Sequence, residues 1–240
     1  VKETQLGSLL RPVRAGNAFE ETVERLLQAI KLGVVPHGER LPSERDLAVH
    51  LGISRVTLRE AIRSLQEAGY LDVRRGRYGG AFVVYLPPEP GHGDLAEAVN
   101  QMGAGDLADA LTFRMAVECG AAQILATVTL DSAQRAMLLR RLAEVNAAAP
   151  ADYRRLDTAF HLSIAELTGS PLLAAACADA RLRVTDLLNA IPVLGPNIAH
   201  AATQHQAIVS AILAGDPDGA ARAVAEHLEG TAALLRGFLA

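Results

Sequence analysis

Apolar residues recur at helical spacing along almost the whole chain, and one short stretch breaks into strand-like alternation. Phe19, Val23, Leu26, Leu27 and Ile30 keep the helical period and predict a first helix over about residues 17–32, behind a flexible arm at 1–17. Residues 33–40, with Pro36 and Gly38, read as a loop. Ser43 then precedes an apolar face of Leu47, Ala48 and Leu51. With Asp46 three residues on, it forms a variant of the capping box, and Gly52 can take the left-handed conformation that ends the helix. Ser54 caps the next pattern, whose face is Leu58, Ile62 and Leu65 and whose end is Gly69. Leu71 and Val73 alternate with Asp72 and Arg74 as in a half-buried strand, residues 75–80 form a turn, and residues 81–85 return. Two short helices across a Gly-Ile turn, followed by a hairpin, predict a winged helix-turn-helix.

Pro87, Pro88, Pro90, Gly91 and Gly93 permit neither helix nor central strand and mark a boundary. Beyond it, helical patterns cover residues 94–102, 106–128, 131–148, 150–168, 172–191, 197–213 and 217–239. On the first long one, Leu107, Leu111, Met115 and Ala122 share a side. The expected fold class is mainly α. An N-terminal winged helix-turn-helix with a small β-hairpin spans 1–86, a Pro/Gly linker spans 87–93, and an all-α bundle of six or seven helices spans 94–240.

Charge sharpens the reading of the first part. The net charge is −4, but residues 40–80 hold 8 Arg against 5 acids, so the positive charge is local. Arg55, Arg59 and Arg63 form one stripe at i, i+4 and i+8, which suits phosphates and the O6/N7 edge of guanine. Thr57 lies in the same N-terminal turn, where recognition helices meet bases. Arg75 and Arg77 sit in a glycine-rich turn that can lie on a phosphate backbone or enter a minor groove. The alternative is a solvated basic face paired with Glu60 and Glu67. Trp is absent and aromatics are scarce, so the cores must be aliphatic. Cys119 and Cys177 fall in helical patterns and read as buried thiols in a reducing cytoplasm. No apolar run approaches the roughly 18 residues of a membrane span and no signal-peptide pattern occurs, so a cytoplasmic protein without a membrane partner is expected.

A second constellation lies in the helical part. Asp157 and His161, at i and i+4, flank the stripe of Tyr153, Leu156, Phe160, Ile164 and Leu167. His205 shares a face with Ala201, Ile208 and Ile212, and His227 lies among Val224, Leu228, Thr231 and Leu234. These four side chains on three helices could converge and hold a divalent transition metal. The alternative is three unrelated core histidines. His200 points away from His205 by roughly 140° and is a poor substitute.

LPSERDLA, GISRVTLREAIRSLQEAGYL and RRGRYGGAFV together resemble the winged helix-turn-helix of GntR-type bacterial transcription regulators. By that resemblance Arg45, Arg55 and Arg59 contact double-stranded DNA, Thr57 lies near the bases, and Arg75 and Gly76 sit at the wing tip. LDTAFHLSIAELTGSP, QHQAIVSAILAGDPDGA and EHLEG resemble the FCD ligand-binding domain of the FadR subfamily. That likeness implies one divalent metal per chain on Asp157, His161, His205 and His227, zinc foremost with nickel or manganese as alternatives. It also implies that Arg114, in FRMAVECGAA, faces the effector. Ser170 stands where the family commonly has Asn. Asp157 and a divalent ion leave a net +1, which suits a small carboxylate effector. A salt bridge to Glu118 is the alternative for Arg114.

One helix-turn-helix reads only a few base pairs, so a homodimer on a palindromic operator is expected. The expected function is a DNA-binding transcription regulator controlled by an organic acid at the metal site, and not an enzyme. The alternatives are a DNA-binding protein with a purely structural metal site, or a metal-dependent enzyme. Against the enzyme, there is no HExxH pattern, and neither Glu118 nor Glu166 is placed as a general base by its spacing.

Overall fold

The computed structural model describes residues 18–76, 79–86, 104–191, 193 and 195–239. The chain divides into two compact units, Val1–Pro87 and Pro88–Ala240. The expected arm at 1–17, linker at 87–93 and helix at 94–102 lie outside the described residues, as do Arg77 and Tyr78 of the hairpin turn.

In the first unit α1 is Ala18–Lys31, α2 is Glu44–Leu51 and α3 is Arg55–Glu67. Ser43 caps α2 by accepting from the Asp46 backbone N–H, and its own hydroxyl donates to the Asp46 carboxylate at 2.6 Å. Gly52 ends the helix at φ 65°, a conformation that a Cβ would penalise. Ser54 caps α3 in the same way through the Thr57 backbone N–H. Leu26 and Ile30 of α1 pack with Leu47, Leu51, Leu58, Ile62 and Leu65 in one core.

The hairpin is β1, Leu71–Arg74, antiparallel to β2, Gly80–Val83, in the register Leu71↔Val83 to Arg74↔Gly80. A Cβ at Gly79 would lie 2.3 Å from the Arg74 carbonyl oxygen, so only glycine closes this turn. Two expectations change. Val73 is exposed, although its cross-strand partner Ala81 lies in the core with the Leu71–Val83 pair. Residues 38–40, expected as loop, pair together with Leu41 along the free edge of β2: Leu41 N–H donates to Ala81 O and Val83 N–H to Glu39 O. Gly38, Glu39 and Arg40 carry no apolar alternation, so this pairing is set by the neighbouring strand.

The second unit contains, among the described residues, six helices. They are α4 Ala104–Thr127, α5 Ser132–Asn146, α6 Pro150–Leu167, α7 Pro171–Ala190, α8 Gly195–Ala214 and α9 Pro217–Leu239. Asp131 and Gln134 complete a reciprocal capping box at α5, and Ser170 caps α7. Helix α8 takes in Pro196, which the sequence assigned to a loop; proline is tolerated in a first turn.

Helix α4 packs against α6, α7, α8 and α9 and so occupies the middle of the bundle. Its buried face is Ala110, Arg114, Glu118, Ala121, Ala122 and Leu125, rotated roughly 50° from the predicted one. Leu107, Leu111 and Met115 are only half-buried. Cys177 is buried, but Cys119 is half-exposed, contrary to expectation, with its thiol 3.6 Å from the Met115 sulfur. Burial, aided by Glu118, pushes the Cys119 thiol up to about 11. Among the described residues no helix is long and apolar enough to cross a membrane.

Candidate functional site

The buried face of α4 faces the second constellation. Asp157 and His161 come from α6, His205 from α8 and His227 from α9. Each offers one ligand atom, and all four atoms lie within 4.8 Å of one another. The Nε2 atoms of His161, His205 and His227 lie 3.8, 3.2 and 3.9 Å from Asp157 Oδ1. Phe160, fully buried, packs against the rings of His161 and His205. His200 is exposed and takes no part.

Two of the rings are oriented from behind. His161 Nδ1–H donates to Glu118 Oε2 at 2.8 Å, and His227 Nδ1–H to the Gln204 side-chain oxygen at 3.1 Å. That fixes the tautomer that leaves Nε2 as the lone-pair donor. His161 Nε2 and both ring nitrogens of His205 are buried without a hydrogen-bond partner among the described residues. The 3.2 Å approach of His205 to Asp157 is an ion-pair distance that lacks hydrogen-bond geometry. Buried polar atoms are rarely left so, and an N3O donor set with orphaned nitrogens fits a divalent transition metal.

Arg181 of α7 is the residue that sequence reasoning missed. It is 3% exposed. Its Nη1 donates to both Glu118 oxygens at 3.0 Å and its Nη2 to Asp157 Oδ2. It thus braces Asp157 directly, and His161 through Glu118. Arg114 also reaches Glu118, at 2.8 Å, so the ion pair held open in the sequence is formed and is buried. Its Nη1 is buried without a partner among the described residues. Arg181 could have been found as the one charge on the stripe Cys177, Arg181, Val184, all of them buried.

Burial raises the Asp157 and Glu118 carboxyls, but the surrounding cations, Arg181 foremost, outweigh it and hold both well below the carboxylate range. Burial, then the Arg181 charge, lowers His161; burial, then the His161 charge, lowers His227 further. Both rings are therefore neutral at pH 7. The Tyr153 phenol, buried beside Asp157, is pushed up first by burial and then by that carboxylate.

Chelator-treated protein is expected to lose stability as the pH drops. The unfolded chain takes up protons on these histidines near pH 6.5 and the folded chain does not. The slope is at most about 1.4 kcal/mol per pH unit for each histidine, and the two depressed carboxylates add to it below about pH 4.5. Thermal melts followed by circular dichroism from pH 8 to 4 check this; a flat melting temperature between pH 7 and 5 would contradict it.

The basic face of the first unit is solvent-accessible. Arg45, Arg55, Arg59, Arg63, Arg75 and Gly76 are exposed. Arg63 pairs with Glu67 as foreseen, whereas Arg59 Nε lies 2.7 Å and Arg55 Nη2 3.6 Å from Glu44 Oε2. Glu44 opens α2, and its reach across the turn has no local sequence signal. Thr57 is half-buried, with its hydroxyl 2.9 Å from Ser54 Oγ.

Comparison with known proteins agrees with both units. Residues 19–83 match the bacterial regulatory proteins of the gntR family, and residues 109–230 match the FCD domain. The chain is 33% identical over 219 residues to a Mycobacterium gastri protein provisionally named HTH-type transcriptional regulator RmpR, covering 86% of this chain and 76% of that one. It is 30% identical over 216 residues to an Escherichia coli K12 protein provisionally named L-lactate dehydrogenase operon regulatory protein, covering 87% and 83%. The structure of E. coli McbR/YncC shares the fold, with a TM-score of 0.56 at 22% identity over 93% of this chain and 99% of that one. The chain belongs to the GntR family of bacterial regulators and is a DNA-binding transcription regulator with a winged helix-turn-helix and an FCD domain.

Proposed function

We propose that operator affinity is set by a small organic acid bound at a divalent ion held by Asp157, His161, His205 and His227. Residues 1–86 form the DNA-binding domain, 87–93 the linker and 94–240 the effector-binding and dimerising domain. The observation that carries this reading is the convergence of three buried imidazole Nε2 atoms on one carboxylate oxygen, two of the rings being held in the ligating tautomer. A bound divalent ion would supply positive charge and an open coordination position for a carboxylate. Arg114 and Arg181 balance Glu118 and Asp157 in charge, so the protein shell itself is neutral and the ion's charge is left for the acid. Arg114 Nη1, unpartnered among the described residues, is a donor for the acid's oxygens. The E. coli relative bears lactate in its name, and a small hydroxy acid has the charge this pocket suits. A thermal-shift titration with zinc, nickel or manganese, then with L-lactate and other small acids, tests the site. A stepwise rise with metal and then acid is expected; no response to any metal overturns it.

For DNA, Arg45, Arg55, Arg59, Arg75 and Gly76 form the proposed contact surface. Arg59→Ala should cost roughly 1–3 kcal/mol of operator affinity if its contact to guanine is bidentate. Arg75→Ala should weaken binding and flatten the salt slope by about one phosphate's share. Anisotropy titrations across salt concentrations check both, and unchanged affinity in both variants would reject this surface.

The homodimer gains support from α4. Phe113 and Ile124 are exposed there, on the same side as Ala116 and Gly120. Light scattering at micromolar concentration should give twice the chain mass; a monomer both free and on DNA would refute the pairing.

A further inference from the structure

We infer that Val56 reads the 5-methyl group of a thymine in the operator. The inference rests on the reading that α3 enters the major groove. A single exposed valine means little by itself; its position carries the case. Val56 is 66% exposed and is the second residue of α3. The core side of that helix is Leu58, Ala61, Ile62 and Leu65. At about 100° per residue, Val56 stands nearly opposite the centre of that face. Arg59 and Arg63 flank it on one side and Glu60 on the other. The arginine stripe that would hold the helix against DNA therefore brings Val56 to the groove floor, in the turn that meets base edges.

Thr57 does not compete for that place. Its hydroxyl is engaged with Ser54 and its side chain is half-buried. The first turn thus presents an apolar, branched tip with one preferred rotamer beside the arginine stripe. In the major groove the apolar group on offer is the thymine methyl. Against cytosine or guanine the same tip would leave a base donor or acceptor without water or partner, so it discriminates as well as attracts.

The test uses the full chain and a duplex that the wild-type protein selects from a randomised library. Each thymine of a half-site is replaced by deoxyuridine, which removes the methyl and keeps the base pair. For the wild type, one position per half-site should lose about fourfold in affinity, the worth of one methyl-sized group withdrawn from water. Val56→Ala should bind the parent duplex more weakly and be indifferent to deoxyuridine at that position. A selected site without thymine, a flat deoxyuridine scan, or an equal penalty in Val56→Ala overturns the inference. Arg59→Ala, titrated alongside, separates the two layers. If it loses affinity while the scan is flat, only the valine assignment falls; if it keeps full affinity, the placement of α3 in the groove falls as well.

Discussion

Arg181→Ala is expected to destabilise the helical unit by about 3–5 kcal/mol, the range for breaking a buried ion pair by removing one partner. The guanidinium is 3% exposed and faces two carboxylates, Glu118 on α4, equally buried, and Asp157 on α6, whose side chain keeps 14% of its surface exposed. Without it Glu118 and Asp157 lose their main counter-charge, and the desolvation that already pushes both upward in pKa acts against a smaller opposition. Arg114 still covers one edge of Glu118, whereas Asp157 is left with the more distant charge of Arg154. Arg181→Lys keeps the charge but cannot span both acids with one planar fork, so it should fall between the two. Urea denaturation followed by circular dichroism measures the loss, since the chain has no tryptophan. A change within about 0.5 kcal/mol for Arg181→Ala, the size of an ordinary surface substitution, would mean that this network does not brace the bundle.

His205→Ala is expected to abolish metal-dependent stabilisation altogether. A ligand that binds only the folded state adds about 2.7 kcal/mol at a hundred times its dissociation constant. The wild type should therefore melt several degrees higher with excess zinc or another bound divalent ion. The variant, left with two imidazoles and one carboxylate, should not. His205 is the apt position because it is fully buried and neither ring nitrogen has a hydrogen-bond partner among the described residues. The substitution therefore removes a ligand without breaking a bracing bond. Folding of the winged unit rests on its own core of Leu26, Leu47, Leu58 and Leu65, so DNA binding should persist. An equal rise in melting temperature for both proteins would show that the ion binds elsewhere.

Local chemistry made much of this protein legible in its sequence. Ser43, Ser54 and Gly52 act on backbone groups within a few residues of themselves, so the helix-turn-helix boundaries followed directly. Asp157 and His161 share one helix, and the faces of His205 and His227 were marked by their apolar neighbours. What escaped was set by contacts between distant segments. Helix α4 meets four other helices, so its apolar stripe did not reveal which side would bury Arg114 and Glu118. Arg181 reaches partners 63 and 24 residues away, and Glu44 reaches Arg59 across 15. The pairing of residues 38–41 with β2 likewise belongs to the neighbouring strand and not to the segment's own composition.

The link between the four-residue cluster and DNA is tested most directly by titrating a library-selected duplex with wild type and His205→Ala. Each is purified from metal-replete medium and analysed for metal, then titrated with and without L-lactate and a panel of small hydroxy and dicarboxylic acids. The wild type should carry one divalent ion per chain, and its DNA affinity should shift about tenfold with at least one acid, a typical allosteric coupling. Chelation should abolish that shift, and His205→Ala should bind the duplex normally but show no shift. A wild type that holds no ion, together with a His205→Ala variant that still responds to the acid, would contradict the metal-centred mechanism.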